Sequence, residues 1–290
     1  DRIMKSFKIN LMDLIALILL VFSFFIPFLA NSLKVNGEVL LMLINCYLIG
    51  YLSYLISFME TKKVLLMAIP LILFSGFLIF FMRDFKFVFE KQRLHDLLYV
   101  ITNLYDVIFV VICFFVIEIV LSRIVGGKAS LGFGVAALIL YYVMQNSDII
   151  PFDFYYKDLL VYFFFFVMAA RIKPAVKFNN FLLFLGLLFL AGEIYLYIYL
   201  NYYPGFYLST IILTYLILKQ SLDVECVNRQ RYLFFAYLYP YKVIYVLLKS
   251  AINASPFVIT IIAVLSTFII GEFLYKIKVK FLDYLFIGIH

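Results

Sequence analysis

The chain has 290 residues, of which 67% are hydrophobic and only 14% are charged, whereas an ordinary soluble domain has roughly 45–50% and about 25%. A soluble globular protein is excluded, because no core surrounded by water needs so much apolar surface. The net charge of +7 comes from short basic clusters between apolar runs, which is typical of membrane orientation and not of nucleic-acid binding.

Ten apolar stretches predict membrane-spanning helices, since about 20 apolar residues are needed to cross a bilayer as a helix. We expect an all-α, polytopic transmembrane bundle of about ten spans, with eight or nine as the alternative, in a single transmembrane domain over 1–290. Three stretches, the fifth, sixth and eighth, are short, and these would borrow residues from the flanking segments, tilt less or form half-helices buried among neighbours. The stretches are 11–30, 39–59, 64–82, 97–121, 131–144, 159–170, 181–200, 206–218, 232–248 and 256–275.

The positions of lysine and arginine predict the orientation, because short loops rich in these residues stay in the cytoplasm. Ten spans would place sixteen of the 24 basic residues on the side of the N-terminus, seven on the other side, and Lys242 inside the ninth span. We therefore expect both termini to be cytoplasmic in a multi-pass protein of the bacterial cytoplasmic membrane. The basic and aromatic tail, 276–290, is expected to lie at the lipid interface, so membrane lipids are the expected partners.

Ionisable side chains inside the predicted spans are the first candidates for a functional site. Burying a charge at the centre of a bilayer costs about 2.5–3.5 kcal/mol on insertion scales. Lys242 lies in the ninth span, Asp106 and Asn103 lie one turn apart in the fourth, and Glu193 lies in the seventh. We expect Lys242 to pair with Asp106 or, as a second choice, with Glu193. A purely structural ion pair is the alternative to a direct role in function.

Other polar residues lie at the ends of the spans or between them. Asp13, Glu118 and Glu272 stand near span ends, and we interpret them as carboxylates that reach interfacial water, with a role in a functional site as the alternative. The polar segment 145–153 joins two short spans, where Asp148 or Asp153 would bind or deprotonate a substrate, unless the segment is an ordinary solvated loop. The two histidines lie outside the spans and the cysteines lack zinc-ligand spacing, so we expect no metal site.

The segment 232–248 resembles a late span of the TraX-like family, which are polytopic membrane proteins associated with pilin acetylation. Tyr239 and Pro240 match the family's aromatic-rich approach to a Tyr-Pro pair, and Lys242 occupies the position of the family's histidine. A weaker likeness covers Asp148 with the span that follows it, and the turn within 51–72. The resemblance implies a membrane acyltransferase that uses acyl-CoA and a membrane or extracytoplasmic acceptor. The absent histidine leaves a degenerate, inactive relative as the alternative.

Two further classes of protein remain open. A transporter or channel would use Glu193, Asp106 and Lys242 as a charged midplane site, and a noncatalytic membrane subunit would bind partners through its helices and basic loops. For the acyltransferase, the candidate residues fall into two groups. The predicted catalytic residues are Lys242, Asp148 and Asp106, and the predicted substrate-binding residues are Glu193, Asn103, Asp153 and Tyr239.

Overall fold

The computed structural model describes residues 11–33, 37–57, 59–82, 106–146, 158–172, 180–200, 207–219, 229–277 and 279–286. Within these ranges the regular secondary structure is helical, and they contain no strand. The helices are α1 (Leu11–Ser23), α2 (Ile26–Leu33), α3 (Gly37–Ile56), α4 (Thr61–Leu66), α5 (Ala68–Met82), α6 (Asp106–Ile124), α7 (Gly127–Asn146), α8 (Asp158–Ala169), α9 (Asn180–Leu200), α10 (Tyr207–Lys219), α11 (Arg229–Leu238), α12 (Pro240–Ala251), α13 (Pro256–Ile277) and α14 (Lys280–Phe286). The all-α prediction is therefore confirmed for the described residues.

Each predicted span overlaps a helix or a pair of consecutive helices, but their lengths differ. In the described ranges, four helices are long and apolar enough to cross a membrane, and a bent pair, Met12–Ser23 with Ile26–Ser32, would make a fifth. The four are Gly37–Ile56, Thr61–Phe80, Val107–Ile124 and Pro256–Ile277. Four shorter apolar helices lie in the described ranges. Ser130–Met144, Asp158–Ala169 and Leu208–Lys219 coincide with the three short predicted stretches, and Asn180–Leu196 falls on a stretch predicted to be full length. The fold is compatible with an integral membrane protein, and the number of ten crossings stays a prediction.

Large apolar side chains cover much of the described surface. Ile124, Phe181 and Ile269 are 75%, 70% and 67% exposed. A water-soluble protein rarely exposes large contiguous apolar patches, whereas side chains facing lipid are apolar because water is absent there. The exposed surface is thus of the kind that a bilayer covers.

The helices form two compact units. The described part of the first unit comprises 11–12, 38–57, 113–146, 158–172, 180–200 and 207–219. Its centre is α3, from which Ile44 to Ile56 are all buried. Ser53 on α3 donates a 2.6 Å hydrogen bond to the carbonyl of Phe166 in α8. Cys46, Tyr141, Val161 and Phe165 form a buried apolar cluster between α3, α7 and α8.

The described part of the second unit comprises 13–33, 37, 59–82, 106–112, 229–277 and 279–286. Helix α11 lies at its centre, because every residue from Leu233 to Leu238 is buried. Helix α13 packs closely against α11 at Gly271. A Cβ atom at that position would lie 3.1 Å from the Cβ of Ala236 and 2.9 Å from Cδ2 of Leu233.

We predict that Gly271→Ala destabilises the protein, because the Cβ of Ala236 cannot move aside by rotation. Overpacking, partly offset by the better helix propensity of alanine, should lower the free energy of unfolding by about 1–2 kcal/mol. Gly76→Ala in α5 is the matched control, since a Cβ there would meet nothing within 4 Å. We expect the control to be neutral or stabilising in a denaturant titration followed by circular dichroism. Equal effects at the two glycines would contradict this packing.

Candidate functional site

Three of the predicted spans each form two consecutive helices with an interruption between them. Helices α1 and α2 meet at Phe24 and Phe25 with a bend of 62°. Helices α4 and α5 are separated by Met67 alone, whose backbone stays helical at φ −62° and ψ −18°, so that Thr61–Phe80 still runs as one apolar helix across this break. Helices α11 and α12 are separated by Tyr239. Each interruption divides a segment that the sequence predicts to be one span.

Proline explains all three interruptions. Pro27 is the second residue of α2, Pro70 is the third residue of α5, and Pro240 is the first residue of α12. Proline lacks a backbone N–H and its ring crowds the preceding turn, so it breaks or kinks a helix unless it lies in the first turn. The carbonyl four residues before each proline therefore lacks its usual intrahelical donor.

The interruptions contact one another. The ring of Phe24 stacks on the ring of Tyr241, with centroids 3.7 Å apart and planes inclined by 8°. The hydroxyl of Tyr239 donates a 2.9 Å hydrogen bond to the carbonyl of Met67. The interruption between α11 and α12 thus touches both of the others. We call Phe24, Met67, Tyr239, Tyr241 and Lys242 the interruption cluster.

Lys242 brings a positive charge into this cluster. It is the third residue of α12, two positions after Pro240, and its Nζ lies 5.5 Å from the centroid of the Phe24 ring. An ammonium at this distance over an aromatic face is attracted by the negative face of the ring. The side chain is partly buried. The first catalytic candidate from the sequence therefore lies where the interrupted helices meet.

Tyr239, a predicted substrate-binding residue, is fully buried at 0% exposure. Its ring also packs near Phe74 and Phe235, with centroids 6.4 Å away in both cases. Its hydroxyl is occupied by the carbonyl of Met67. These contacts give Tyr239 a role in joining two interruptions, and contact with a substrate stays a prediction.

We predict that Tyr239→Phe destabilises the second unit, because the mutation removes a buried hydrogen bond and keeps the ring. The loss should be about 1–2 kcal/mol in the free energy of unfolding. Tyr245→Phe, on the same helix α12, is the control, since Tyr245 is only partly buried and no hydrogen bond of its hydroxyl is seen among the described residues. A denaturant titration should show little change for the control. A neutral Tyr239→Phe would contradict the assigned bond.

Three carboxylates near the ends of the predicted spans pair with arginines. Asp13 pairs with Arg231, Glu118 with Arg171, and Glu272 with Arg229, at N···O distances of 3.1, 2.6 and 2.5 Å. The interpretation of these residues as water-reaching carboxylates is wrong for Asp13, which is 1% exposed and accepts a hydrogen bond from Nε of Arg231 at each oxygen. Insertion of a charge among packed helices is costly, so a partner is required.

The Glu118 pair also includes Ser130. The hydroxyl of Ser130 donates a 3.0 Å hydrogen bond to Oε1 of Glu118, and Arg171 donates to Ser130 and to the carbonyl of Val167. Residues from α6 and α7 are joined in this way to Arg171, which lies two residues after the end of α8. The network ties three helix ends of the first unit together.

Glu193 lies in α9 and is 8% exposed. Its carboxylate accepts hydrogen bonds from the hydroxyl of Ser209 and, at 3.3 Å, from the Ser209 backbone N–H. The bonds join α9 to α10 in the first unit. An ion pair between Glu193 and Lys242 stays a prediction.

The remaining predicted site residues fall outside the described part of the structure. Asn103, Asp148 and Asp153 belong to ranges that are not described, and Asp106 is the first residue of α6 but its side chain is not described. The predicted pair between Lys242 and Asp106 thus stays a prediction. So does a substrate-binding loop at 145–153.

The sequence was compared with family models, curated proteins and solved structures. None of the three comparisons gives a match. Any functional interpretation therefore depends on the chemistry of the chain itself, and the TraX-like resemblance stays a prediction.

The sequence missed how the interruptions come together, although a signal for each was present. Pro27, Pro70 and Pro240 are the prolines that fall inside predicted spans and not at their first residue. A proline in the interior of an apolar run predicts a kink. What the sequence could not indicate is that the three kinks are in contact.

Proposed function

We propose that the chain is a multi-pass membrane transporter that binds a small anion at the interruption cluster. The observation on which this depends is the contact between three proline interruptions beside Lys242. Interrupted helices inside a membrane leave backbone groups without intrahelical partners, and such geometry is tolerated where it is buried in protein or lines a cavity. Substrate sites of many transporters are built from helices of this kind.

The expected charge of the substrate follows from Lys242. A lysine within a span is a default functional site, because a charge that serves no purpose there costs free energy. Its Nζ lies over the ring of Phe24, which stacks on the ring of Tyr241, and the negative face of such a ring attracts a cation. A carboxylate or phosphate group of the substrate would gain a charge-assisted hydrogen bond from the ammonium, which is stronger than a neutral one.

The topology that we propose has ten spans with both termini in the cytoplasm. Support comes from the distribution of lysine and arginine, sixteen on one side and seven on the other. It also comes from the overlap of every predicted span with at least one helix among the described residues. In this topology α11 and α12 together make the ninth span, which contains Lys242.

Acyl transfer is the second candidate function, because the residues that resemble the TraX-like family, Tyr239, Pro240 and Lys242, belong to the interruption cluster. In that reaction Lys242 would have to replace the family's histidine. An ammonium over the ring of Phe24 has no lone pair with which to accept a proton. This contact favours a fixed positive charge over a general base, so transport is the better supported function.

The proposal is tested on the whole purified protein in detergent. Thermal unfolding is followed with acetate, lactate, succinate, glutamate, inorganic phosphate and acetyl-CoA, each added as its sodium salt. The control for each compound is sodium chloride at the same sodium concentration. We expect one small anion to raise the unfolding midpoint in a saturable way, because a ligand that binds only the folded state stabilises it. Uptake of that anion, radiolabelled, into proteoliposomes then measures transport.

Each outcome separates the candidates. Stabilisation and uptake of a small anion support the transporter. Stabilisation by acetyl-CoA alone, with release of coenzyme A, would contradict the transporter and support acyl transfer. No stabilisation by any anion would contradict both and favour a noncatalytic membrane subunit.

A further inference from the structure

The end of α13 and the start of α14 form a basic and apolar corner in the second unit. Lys276 is in the last turn of α13, Lys280 is the first residue of α14, and both are exposed. Phe281, the next residue, is 70% exposed. We call Lys276, Ile277, Lys280 and Phe281 the α13–α14 corner. Two positive charges thus lie beside apolar side chains that water would not favour.

Helix α14 is fixed in place by its other face. The hydroxyl of Tyr232 on α11 donates a 2.9 Å hydrogen bond to Oδ2 of Asp283, which is 1% exposed. Phe286 packs against Phe74 of α5, with ring centroids 5.7 Å apart. Because Asp283 and Phe286 anchor the helix, Lys280 is held near the end of α13.

The nearby acidic groups do not neutralise the corner. Glu272, one turn before Lys276, is paired with Arg229 at 2.5 Å, and Asp283 is buried. Lys276 and Lys280 have no ion-pair partner among the residues that the structure describes. The accessible charge of the corner is therefore positive.

An exposed apolar stripe runs along α13 to this corner. Leu265, Ile269, Phe273 and Ile277 are 59%, 67%, 60% and 39% exposed, and residues four apart lie on one face of a helix. From Leu265 to Ile277 the stripe rises by twelve residue steps, or about 18 Å at 1.5 Å per residue, and one leaflet of a bilayer has about 15 Å of hydrocarbon. It therefore matches the length of a lipid acyl chain.

We propose that the α13–α14 corner binds an anionic phospholipid, with the headgroup phosphate at Lys276 and Lys280 and an acyl chain along the stripe. Each lysine near an anionic membrane surface strengthens binding by about fivefold. We therefore expect a preference of roughly tenfold or more for an anionic over a zwitterionic lipid at this place. Lipid binding here does not require an anion to bind at the interruption cluster.

The test uses the absence of tryptophan from the chain. Phe281→Trp gives a protein with one tryptophan, which is reconstituted whole into vesicles that contain brominated phosphatidylglycerol or brominated phosphatidylcholine. Bromine quenches the tryptophan only when the lipid is in contact with it. We expect phosphatidylglycerol to quench at a mole fraction about tenfold lower than phosphatidylcholine.

Two further variants test whether the lipid preference belongs to the α13–α14 corner. Lys276→Gln with Lys280→Gln, in the Phe281→Trp background, should reduce the preference at least threefold. Phe184→Trp, in a protein with no other tryptophan, should show no preference, since Phe184 is 63% exposed on α9 and that helix contains no lysine or arginine. Equal quenching by the two lipids at position 281, or an unchanged preference after removal of the lysines, would overturn the proposal. An equal preference at position 184 would also overturn it.

Discussion

Replacing Lys242 with methionine is expected to weaken binding of the stabilising anion by about ten- to a hundredfold, because a hydrogen bond to a charged group contributes about 1.5–3 kcal/mol. Methionine keeps the length and the apolar stem of the side chain and removes the ammonium over Phe24. The measurement is the concentration of anion that gives half of the maximal rise in unfolding midpoint. Uptake into proteoliposomes should fall in parallel.

Two variants show whether the effect comes from the charge at this position. Lys242→Arg keeps the charge and should retain more of the affinity than methionine does. Lys249→Met removes a lysine from the last turn of the same helix, where the side chain is exposed, and should leave affinity unchanged. If Lys242→Met bound the anion as tightly as the unmodified protein, the interruption cluster would not be the binding site.

Removing Arg231 is expected to cause the largest loss of stability, roughly 3 kcal/mol. Asp13 is 1% exposed and both of its oxygens accept a 3.1 Å hydrogen bond from Nε of Arg231. In Arg231→Ala the aspartate would remain buried and lose this partner, and removal of one member of a buried ion pair is strongly destabilising. The expected loss of stability is at the lower end of the range for buried ion pairs, because the Arg231 side chain is 36% exposed. A reversible denaturant titration measures it.

The more exposed pair in the same unit supplies the control. Arg229 pairs with Glu272, but its side chain is 52% exposed, so Arg229→Ala should cost no more than about 1 kcal/mol. Adding Asp13→Asn to Arg231→Ala should recover much of the lost stability, because the neutral amide no longer needs a counter-ion. Equal losses for Arg229→Ala and Arg231→Ala would contradict the role assigned to the burial of Asp13.

The helices could be predicted from the sequence because their signal is local. Runs of apolar residues mark every described helix from α1 to α13. The runs 64–82 and 232–248, which are divided at Met67 and Tyr239, contain Pro70 and Pro240. The same runs cannot give the number of crossings. Several are shorter than a bilayer, and whether such a helix crosses depends on the helices packed around it and not on its own residues.

The ion pairs could not be predicted because their partners are remote in the chain. Asp13 and Arg231 are separated by 218 residues, and Glu118 and Arg171 by 53. Periodicity shows which face of a helix is polar, but it does not show which other helix that face meets. The preference for interfacial water at Asp13 therefore failed. Lys242 could be singled out because a lysine inside an apolar run is conspicuous by itself, and its role in function stays a prediction.

The three proline interruptions also bear on how the second unit can move. At Ser23, Leu66 and Ala236, the carbonyl that precedes each proline by four residues cannot accept the usual helical hydrogen bond, because proline has no N–H. Bending at these points is therefore less costly than bending an unbroken helix. Phe24 and Tyr239 are thus the points at which bending would break the fewest helical hydrogen bonds, and both lie beside the lysine.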